Sequence, residues 1–117
     1  MYRAPTERLR RLCARFADWG IPTAQAVVDV RTALPAVPLV ASGGLRTGLD
    51  LAKVLALGAD LGALAGPFLK AANVSAQAVA ELAGEVADEL RIILFSLGVS
   101  DIASLKGTPA LRPCKVA

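Results

Sequence analysis

Residues 39–67 read LVASGGLRTGLDLAKVLALGADLGALAGP, and this stretch decides the fold. It opens on a compact apolar run at 39–41, and a second apolar run at 61–65 ends in a Gly-Pro pair. Short apolar runs closed by glycine are typical of strands buried on both faces of a parallel sheet. Between them, a helical spacing over 48–57 stops at Gly58, where a C-terminal glycine cap would lie. This order predicts an α/β fold with two parallel strands and a right-handed crossover.

The sequence on both sides of this unit has the period of amphipathic helices, with apolar residues at three- and four-residue steps. Helices are predicted over roughly 6–17, 24–34, 48–57 and 76–97, with a short helical turn at 68–72. Thr23 and Ser75 stand where the N-caps of two of these helices would lie. We therefore predict one partial domain over residues 1–105, followed by a loose tail over 106–117.

Composition excludes several classes of protein. The chain has 117 residues, of which 55% are hydrophobic and 20% charged, and charged residues interrupt every apolar run before the roughly 20 residues that cross a bilayer. The net charge of +3 comes with only 4% aromatic residues to stack on bases. We expect a cytoplasmic protein with no membrane partner and no nucleic-acid partner.

The absence of histidine limits the possible chemistry further. Neither an imidazole base nor a Cys/His zinc site can come from this chain, and two distant cysteines, Cys13 and Cys114, form no disulfide framework. The strand ends carry no nucleophile paired with a base and no carboxylate pair. We therefore predict no catalytic residue and no metal ligand in this chain.

Both predicted strands end in glycine turns at one edge of the sheet, Ser42–Gly48 after the first and Ala65–Pro67 after the second. Glycine lets backbone N–H groups approach a phosphate closely, and a following helix N-terminus adds a partial positive charge. The alternative is that these glycines only form tight turns. Arg46 could donate to a phosphate or pair with Asp50, and Trp19 could line a ligand pocket or be a packing residue. We predict a phosphate-binding site at this edge of the sheet.

Three segments carry a family resemblance: FADWGIPT at 16–23, ASGGLRTGLDLAK at 41–53 and ALGA at 56–59. Together they resemble the C-terminal third of the type 2 isopentenyl diphosphate isomerases, over residues 2–105. Ser-Gly-Gly alone would also suit other FMN barrels, such as the 2-hydroxy acid oxidases. The resemblance implies a C-terminal fragment of a TIM (βα)8 barrel, with the two predicted strands as its seventh and eighth.

The resemblance also implies a cofactor site. In that family, backbone groups of the loops after these two strands hold the phosphate of FMN. Carried over residue by residue, the expected FMN-binding residues are Gly43, Gly44, Leu45, Arg46, Ala65 and Gly66. These residues lie in the two turns that predict phosphate binding on physical grounds.

By the same resemblance, the complete enzyme converts isopentenyl diphosphate to dimethylallyl diphosphate in isoprenoid biosynthesis, with FMN, NADPH and Mg²⁺ as cofactors. The residues for the substrate, the magnesium ion and the flavin ring lie on the first six strands of that barrel, which this chain does not contain. We therefore expect a flavoprotein fragment that is inactive alone: a truncated gene product, a mis-called start or a piece of a split enzyme. Two open strand edges predict self-association, or a partner that supplies the missing strands.

Two alternatives remain open from the sequence. One is a non-catalytic or partner-dependent barrel module that binds FMN or phosphate. The other is a piece of another FMN-dependent oxidoreductase, which the absence of histidine disfavours because such enzymes usually carry a catalytic base on the barrel.

Overall fold

A computed structural model describes residues 5–114 of the chain. Its elements are, in order, α1 (Glu7–Arg15), α2 (Thr23–Ala33), β1 (Val40–Ser42), α3 (Gly48–Ala56), β2 (Leu61–Ala63), α4 (Gly66–Ala72), α5 (Ala76–Leu97) and a 3-10 turn (Ala103–Leu105). The predicted helices are confirmed to within about two residues at each end. None of the helices within 5–114 combines the length and the apolar content that crossing a membrane requires.

The two strands pair in parallel, with Val40 opposite Leu61, Ala41 opposite Gly62 and Ser42 opposite Ala63. This pairing confirms the α/β prediction. The second strand is shorter than predicted, since Leu64 and Ala65 lie outside it. The reason lies in β1, which ends at Ser42 because Gly43 has a φ of +108° and leaves the extended conformation.

The two faces of this sheet have different surroundings, because successive residues of a strand point to opposite faces. Ala41 is buried, and a Cβ atom added at Gly62 would overlap the side chain of Leu51 on α3. On the other face, Val40 is 57% exposed and Leu61 is 64% exposed. One face therefore packs on the helices, while the other has no cover within residues 5–114.

The core on the covered face joins the sheet to α2 and α3. Its buried members are Val27, Ala41, Leu45, Val54 and Ala59. A second cluster joins α3 to α5 and the 3-10 turn, and consists of Ala52, Leu55 and Leu105 with partly buried residues of α5 around them. The α3 and α5 helices approach closely, because a Cβ atom added at Gly48 would lie 2.8 Å from the carbonyl oxygen of Val86.

A polar cluster ties together the N-terminal ends of the strands. The Arg31 Nη2 atom donates to Asp60 Oδ2 at 2.8 Å, and the same oxygen accepts the Leu39 N–H at 2.8 Å. Lys106 donates to the other carboxylate oxygen of Asp60. Arg31 also donates to three backbone carbonyl groups, those of Pro35, Val37 and Gly58. Lys106 begins the segment predicted to be a loose tail, of which 115–117 lie outside the described residues.

The hydrogen bonds to Asp60 also change its titration. The bond from Lys106, the Leu39 N–H and the bond from Arg31 hold the pKa of this carboxyl well below its usual range. Asp60 therefore stays ionised in the folded chain, as an anchor for the segments that lead into both strands.

Of the two predicted N-caps, Ser75 is confirmed and Thr23 is not. Thr47 and Ser75 each accept the N–H group three residues on, and Gly98 ends α5 with a φ of +69°. Thr23, predicted to cap α2, is instead its first helical residue, and Pro22 occupies the cap position. The Thr23 hydroxyl makes a contact outside the helix, described below.

The α1 helix and the loop after it are exposed. None of the α1 residues is buried, and Trp19 is 83% exposed with its ring edge-on to Phe16 at a centroid distance of 6.0 Å. Of the two alternatives for Trp19, the packing role is therefore not supported within residues 5–114, since its contact is with a neighbouring exposed ring.

Candidate phosphate-binding cleft

The C-terminal ends of β1 and β2 meet at one cleft of about 300 Å³. Its lining residues are Ser42, Gly43, Gly44, Leu45, Arg46, Ala63, Ala65, Gly66 and Pro67. The six residues that the sequence singled out therefore lie around a single cavity. The other three are Ser42 and Ala63, the last residues of the two strands, and Pro67 of the second turn. Ser42 and Pro67 belong to the two turns predicted from the sequence, and the parallel pairing brings Ala63 beside Ser42.

Unpaired backbone donors define the chemistry of this cleft. Within residues 5–114, four of its backbone N–H groups have no protein acceptor; they belong to Gly44, Leu45, Ala65 and Gly66. The Leu45 side chain is buried in the core, so this residue offers the cleft its backbone alone. Three of these residues, Gly44, Ala65 and Gly66, are exposed, so their donors are open to solvent or to a ligand. Four donors around one cleft are suited to an acceptor with several oxygen atoms, such as a phosphate.

Arg46 differs from the other predicted residues, because its backbone N–H donates to Asp50 Oδ2 at 2.9 Å. Asp50 thus binds the backbone of Arg46, and the Arg46 guanidinium makes no ion pair within residues 5–114. What Arg46 adds to the cleft is therefore its side-chain charge. It is the one charged residue among those that line the cleft.

The N-terminus of α3 is capped by the protein itself. The Asp50 N–H donates to Thr47 Oγ1 and the Leu49 N–H to Glu89 Oε2, both at 3.2 Å. Two carboxylates, Asp50 and Glu89, thus stand at the positive end of this helix. A glutamate on a helix is usually a solvated charge, but Glu89 reaches from α5 to the N-terminus of α3. The cleft therefore depends on its loop amides more than on the α3 dipole.

The glycines of the cleft play two different roles. Gly43 and Gly44 have φ values of +108° and +74°, which L-residues rarely adopt. A Cβ atom at Gly43 would lie 2.9 Å from Thr23 Oγ1, whereas one at Gly44 or Gly66 would have no protein atom within 4 Å. The close approach of the Thr23 side chain thus requires a glycine at position 43. Gly44 and Gly66 leave open space at a cleft whose lining includes both.

The neighbour of Gly43 is a residue whose role the sequence pattern did not reveal. Thr23 Oγ1 donates to the Gly43 carbonyl oxygen at 2.8 Å, across 20 residues of sequence. Thr23 looks like a helix cap in sequence, because threonine before a helix has that local meaning. Only the packing of α2 against the sheet shows the longer contact.

Known proteins resemble this chain over most of its length. A family model described as FMN-dependent dehydrogenase matches residues 13–112. Proteins named isopentenyl-diphosphate delta-isomerase are similar to the chain: that of Mycobacterium marinum is 57% identical over 83% of the chain, that of Xanthobacter autotrophicus 52% over 89%, and that of Synechococcus sp. 51% over 96%. These relatives confirm the resemblance drawn from the three segments.

These relatives are much longer than the chain. The chain covers 28%, 30% and 32% of these three relatives, respectively, so it spans about a third of the length of the curated proteins it matches.

Proposed function

Since the chain belongs to the FMN-dependent dehydrogenase family, we propose that its cleft binds the phosphate group of FMN. The observation that carries this proposal is the set of four backbone N–H groups without a protein acceptor around one cavity of about 300 Å³. A phosphate oxygen can accept several such donors at once, and a charged acceptor strengthens each bond. The Arg46 guanidinium adds a positive charge beside the same oxygens.

We propose further that the chain is the phosphate-binding part of an isopentenyl-diphosphate delta-isomerase. Relatives with that name are 51–57% identical to it over 83–96% of its length, which supports this proposal. The reaction would convert isopentenyl diphosphate to dimethylallyl diphosphate, and bound reduced FMN would supply the proton transfer. The parallel β1–β2 pair with helices on one face fits neighbouring strands of a TIM barrel.

The roles of this chain in that enzyme are binding and orientation. By fixing the phosphate, the loops at Gly43–Arg46 and Ala65–Gly66 would hold the cofactor at the C-terminal end of the strands, where barrel enzymes place their chemistry. None of the residues that line the cleft carries a carboxylate, a thiol or an imidazole. The residues for the substrate diphosphate, Mg²⁺ and NADPH would come from the part of the relatives that this chain does not match.

The exposed face of the sheet supports a partner. Val40 and Leu61 are directly paired and more than half exposed, on the face opposite the helices. In a closed barrel this face is filled by side chains from other strands, and closure removes the open strand edges. We propose that the remaining βα units of the barrel cover it, whether they belong to the same polypeptide or to another. Without them, self-association through this face is expected.

A dehydrogenase or a purely phosphate-binding module is the second candidate, because the family description itself names a dehydrogenase. Such a protein would use the same cleft for FMN. The absence of histidine disfavours a dehydrogenase whose base lies on this part of the barrel.

Flavin titration tests the cleft, and a turnover assay tests the reaction. We expect the chain to bind FMN weakly, because it supplies only the phosphate-binding wall, and to bind riboflavin at least tenfold more weakly still, because riboflavin lacks the phosphate. Flavin fluorescence measures both; equal affinities would refute the phosphate site.

Turnover needs the rest of the barrel. With FMN, NADPH and Mg²⁺ present, the chain alone should not isomerise isopentenyl diphosphate, whereas mixing it with a polypeptide that carries the remaining βα units of a relative should restore turnover. Turnover by a monomeric chain alone would contradict the proposed division of roles. Dehydrogenase activity of the assembled barrel without isomerisation would favour the second candidate.

A further inference from the structure

We propose that Thr23 is a positioning residue for the cleft: its hydroxyl orients the Gly43–Gly44 peptide so that the Gly44 N–H is presented to a phosphate. This inference rests on the proposed function, because it assigns the cleft a phosphate ligand. It concerns a residue that does not itself line the cleft.

The geometry of the peptide group links the two atoms. All described peptide bonds are trans, so the Gly43 carbonyl and the Gly44 N–H lie in one plane and point in opposite directions. The carbonyl oxygen is held by Thr23 Oγ1 at 2.8 Å. The Gly44 N–H must therefore point away from Thr23. Gly44 lines the cleft and Thr23 does not, which leaves this N–H as a donor on the cleft side.

The hydroxyl is held firmly enough to set that direction. Thr23 is the first residue of α2, and Val27, one turn further on, is buried in the core against β1. A β-branched side chain has few accessible rotamers, so the hydroxyl position follows the helix position. The close approach also needs a glycine at 43, because a Cβ atom there would lie 2.9 Å from the hydroxyl oxygen.

The carbonyl would be free to turn without this bond. Gly43 and Gly44 are glycines with positive φ, and glycine allows many other backbone conformations at little cost. Removal of the hydroxyl should therefore leave the fold intact but let the Gly44 N–H sample orientations outside the cleft. The expected effect is a roughly tenfold loss of FMN affinity, about 1.4 kcal/mol. Riboflavin binding should not change.

Thr23→Val removes the hydroxyl at nearly constant shape, and Thr23→Ser keeps it. Thr32→Val is the matched control, because Thr32 lies on the same helix and its hydroxyl donates to the Val28 carbonyl within α2. We expect weaker FMN binding in Thr23→Val alone, with recovery in Thr23→Ser. In the ligand-free chain, the amide ¹⁵N signal of Gly44 should move in Thr23→Val and stay in Thr32→Val, since that signal responds to hydrogen bonding of the preceding carbonyl.

The outcomes separate this inference from the proposed function. If the wild-type chain binds FMN and riboflavin equally, the phosphate cleft is refuted. If the wild-type chain prefers FMN and Thr23→Val keeps that preference, only the role of Thr23 is overturned. An equal loss of FMN and riboflavin binding also overturns it, because such a loss shows a general structural effect. An unmoved Gly44 signal in the free Thr23→Val chain overturns it too, because the hydroxyl then does not orient this peptide.

Discussion

Gly44 offers a sharp test of the cleft, because the chain contains a matched control for its backbone conformation. Gly44 has a φ of +74° and Gly98 one of +69°, and a Cβ atom added at either would have no protein atom within 4 Å. Gly98 is the cap of α5 and does not line the cleft. Alanine at both positions should thus cost similar strain, while only Gly44→Ala places a methyl group at the cleft.

The size of both effects can be worked from these values. A left-handed conformation costs an L-residue roughly 1–2 kcal/mol, and the reduced entropy of the unfolded chain returns about 0.4–1 kcal/mol. Each variant should therefore lose about 1 kcal/mol of unfolding free energy. Gly44→Ala keeps the backbone N–H, but its methyl group would hold the phosphate away from that donor. Loss of this one hydrogen bond to a charged acceptor weakens binding by about 1.5–3 kcal/mol, which is at least a tenfold weaker affinity for FMN.

Two measurements decide the outcome. Urea unfolding gives the free energy of unfolding of each variant. Flavin fluorescence, measured without urea on the folded variant, gives its affinity for FMN. The prediction holds if stability falls equally and only Gly44→Ala loses affinity. Equal FMN affinity in the two variants would show that Gly44 does not contact the phosphate, and a much larger loss of stability in Gly44→Ala would show that its Cβ atom meets the protein after all.

Two further predictions concern stability. Gly48→Ala should lower the free energy of unfolding in urea by about 1–3 kcal/mol, because its Cβ atom would lie 2.8 Å from the Val86 carbonyl oxygen. Gly84→Ala is the control: its Cβ atom enters open space on α5, so it should raise the free energy of unfolding by up to about 1 kcal/mol. An increase in both variants would contradict the close contact between α3 and α5. Because the pKa of Asp60 is lowered on folding, its contribution to stability is present above the ordinary carboxyl pKa and is lost as the pH falls below about 4. The wild-type urea midpoint should therefore drop on acidification more than that of Asp60→Asn, and parallel pH profiles would refute the role of the cluster.

Local patterns were sufficient to predict the elements of this fold. The apolar runs around Val40 and Leu61, each closed by glycine, identify two strands, and the crossover rule makes them parallel. The glycine turns also identify the cleft, because the C-terminal ends of parallel strands meet at one edge of the sheet. A sequence pattern is informative here because strand, turn and helix each depend on residues within a few positions.

The contacts that the sequence did not reveal join residues far apart in the chain. Thr23 reaches Gly43 across 20 residues, and Glu89 reaches Leu49 across 40. In sequence, a threonine before a helix predicts a cap, and a glutamate on a helix predicts a solvated charge. Which long-range partner such a side chain finds depends on how the helices pack, and local periodicity carries no information about that.

The polar cluster and the cleft lie at opposite ends of the same two strands, and this separation bears on how the sequence can change over evolution. The hydrogen bonds of Arg31 and Asp60 hold the strand entrances, while the loops after Ser42 and Ala63 hold the candidate ligand site. Substitutions in the loops can therefore alter what is bound without weakening the bonds that keep the strands in register. Single substitutions in the loops can thus change ligand preference at a modest cost in stability, because other residues hold the strand entrances.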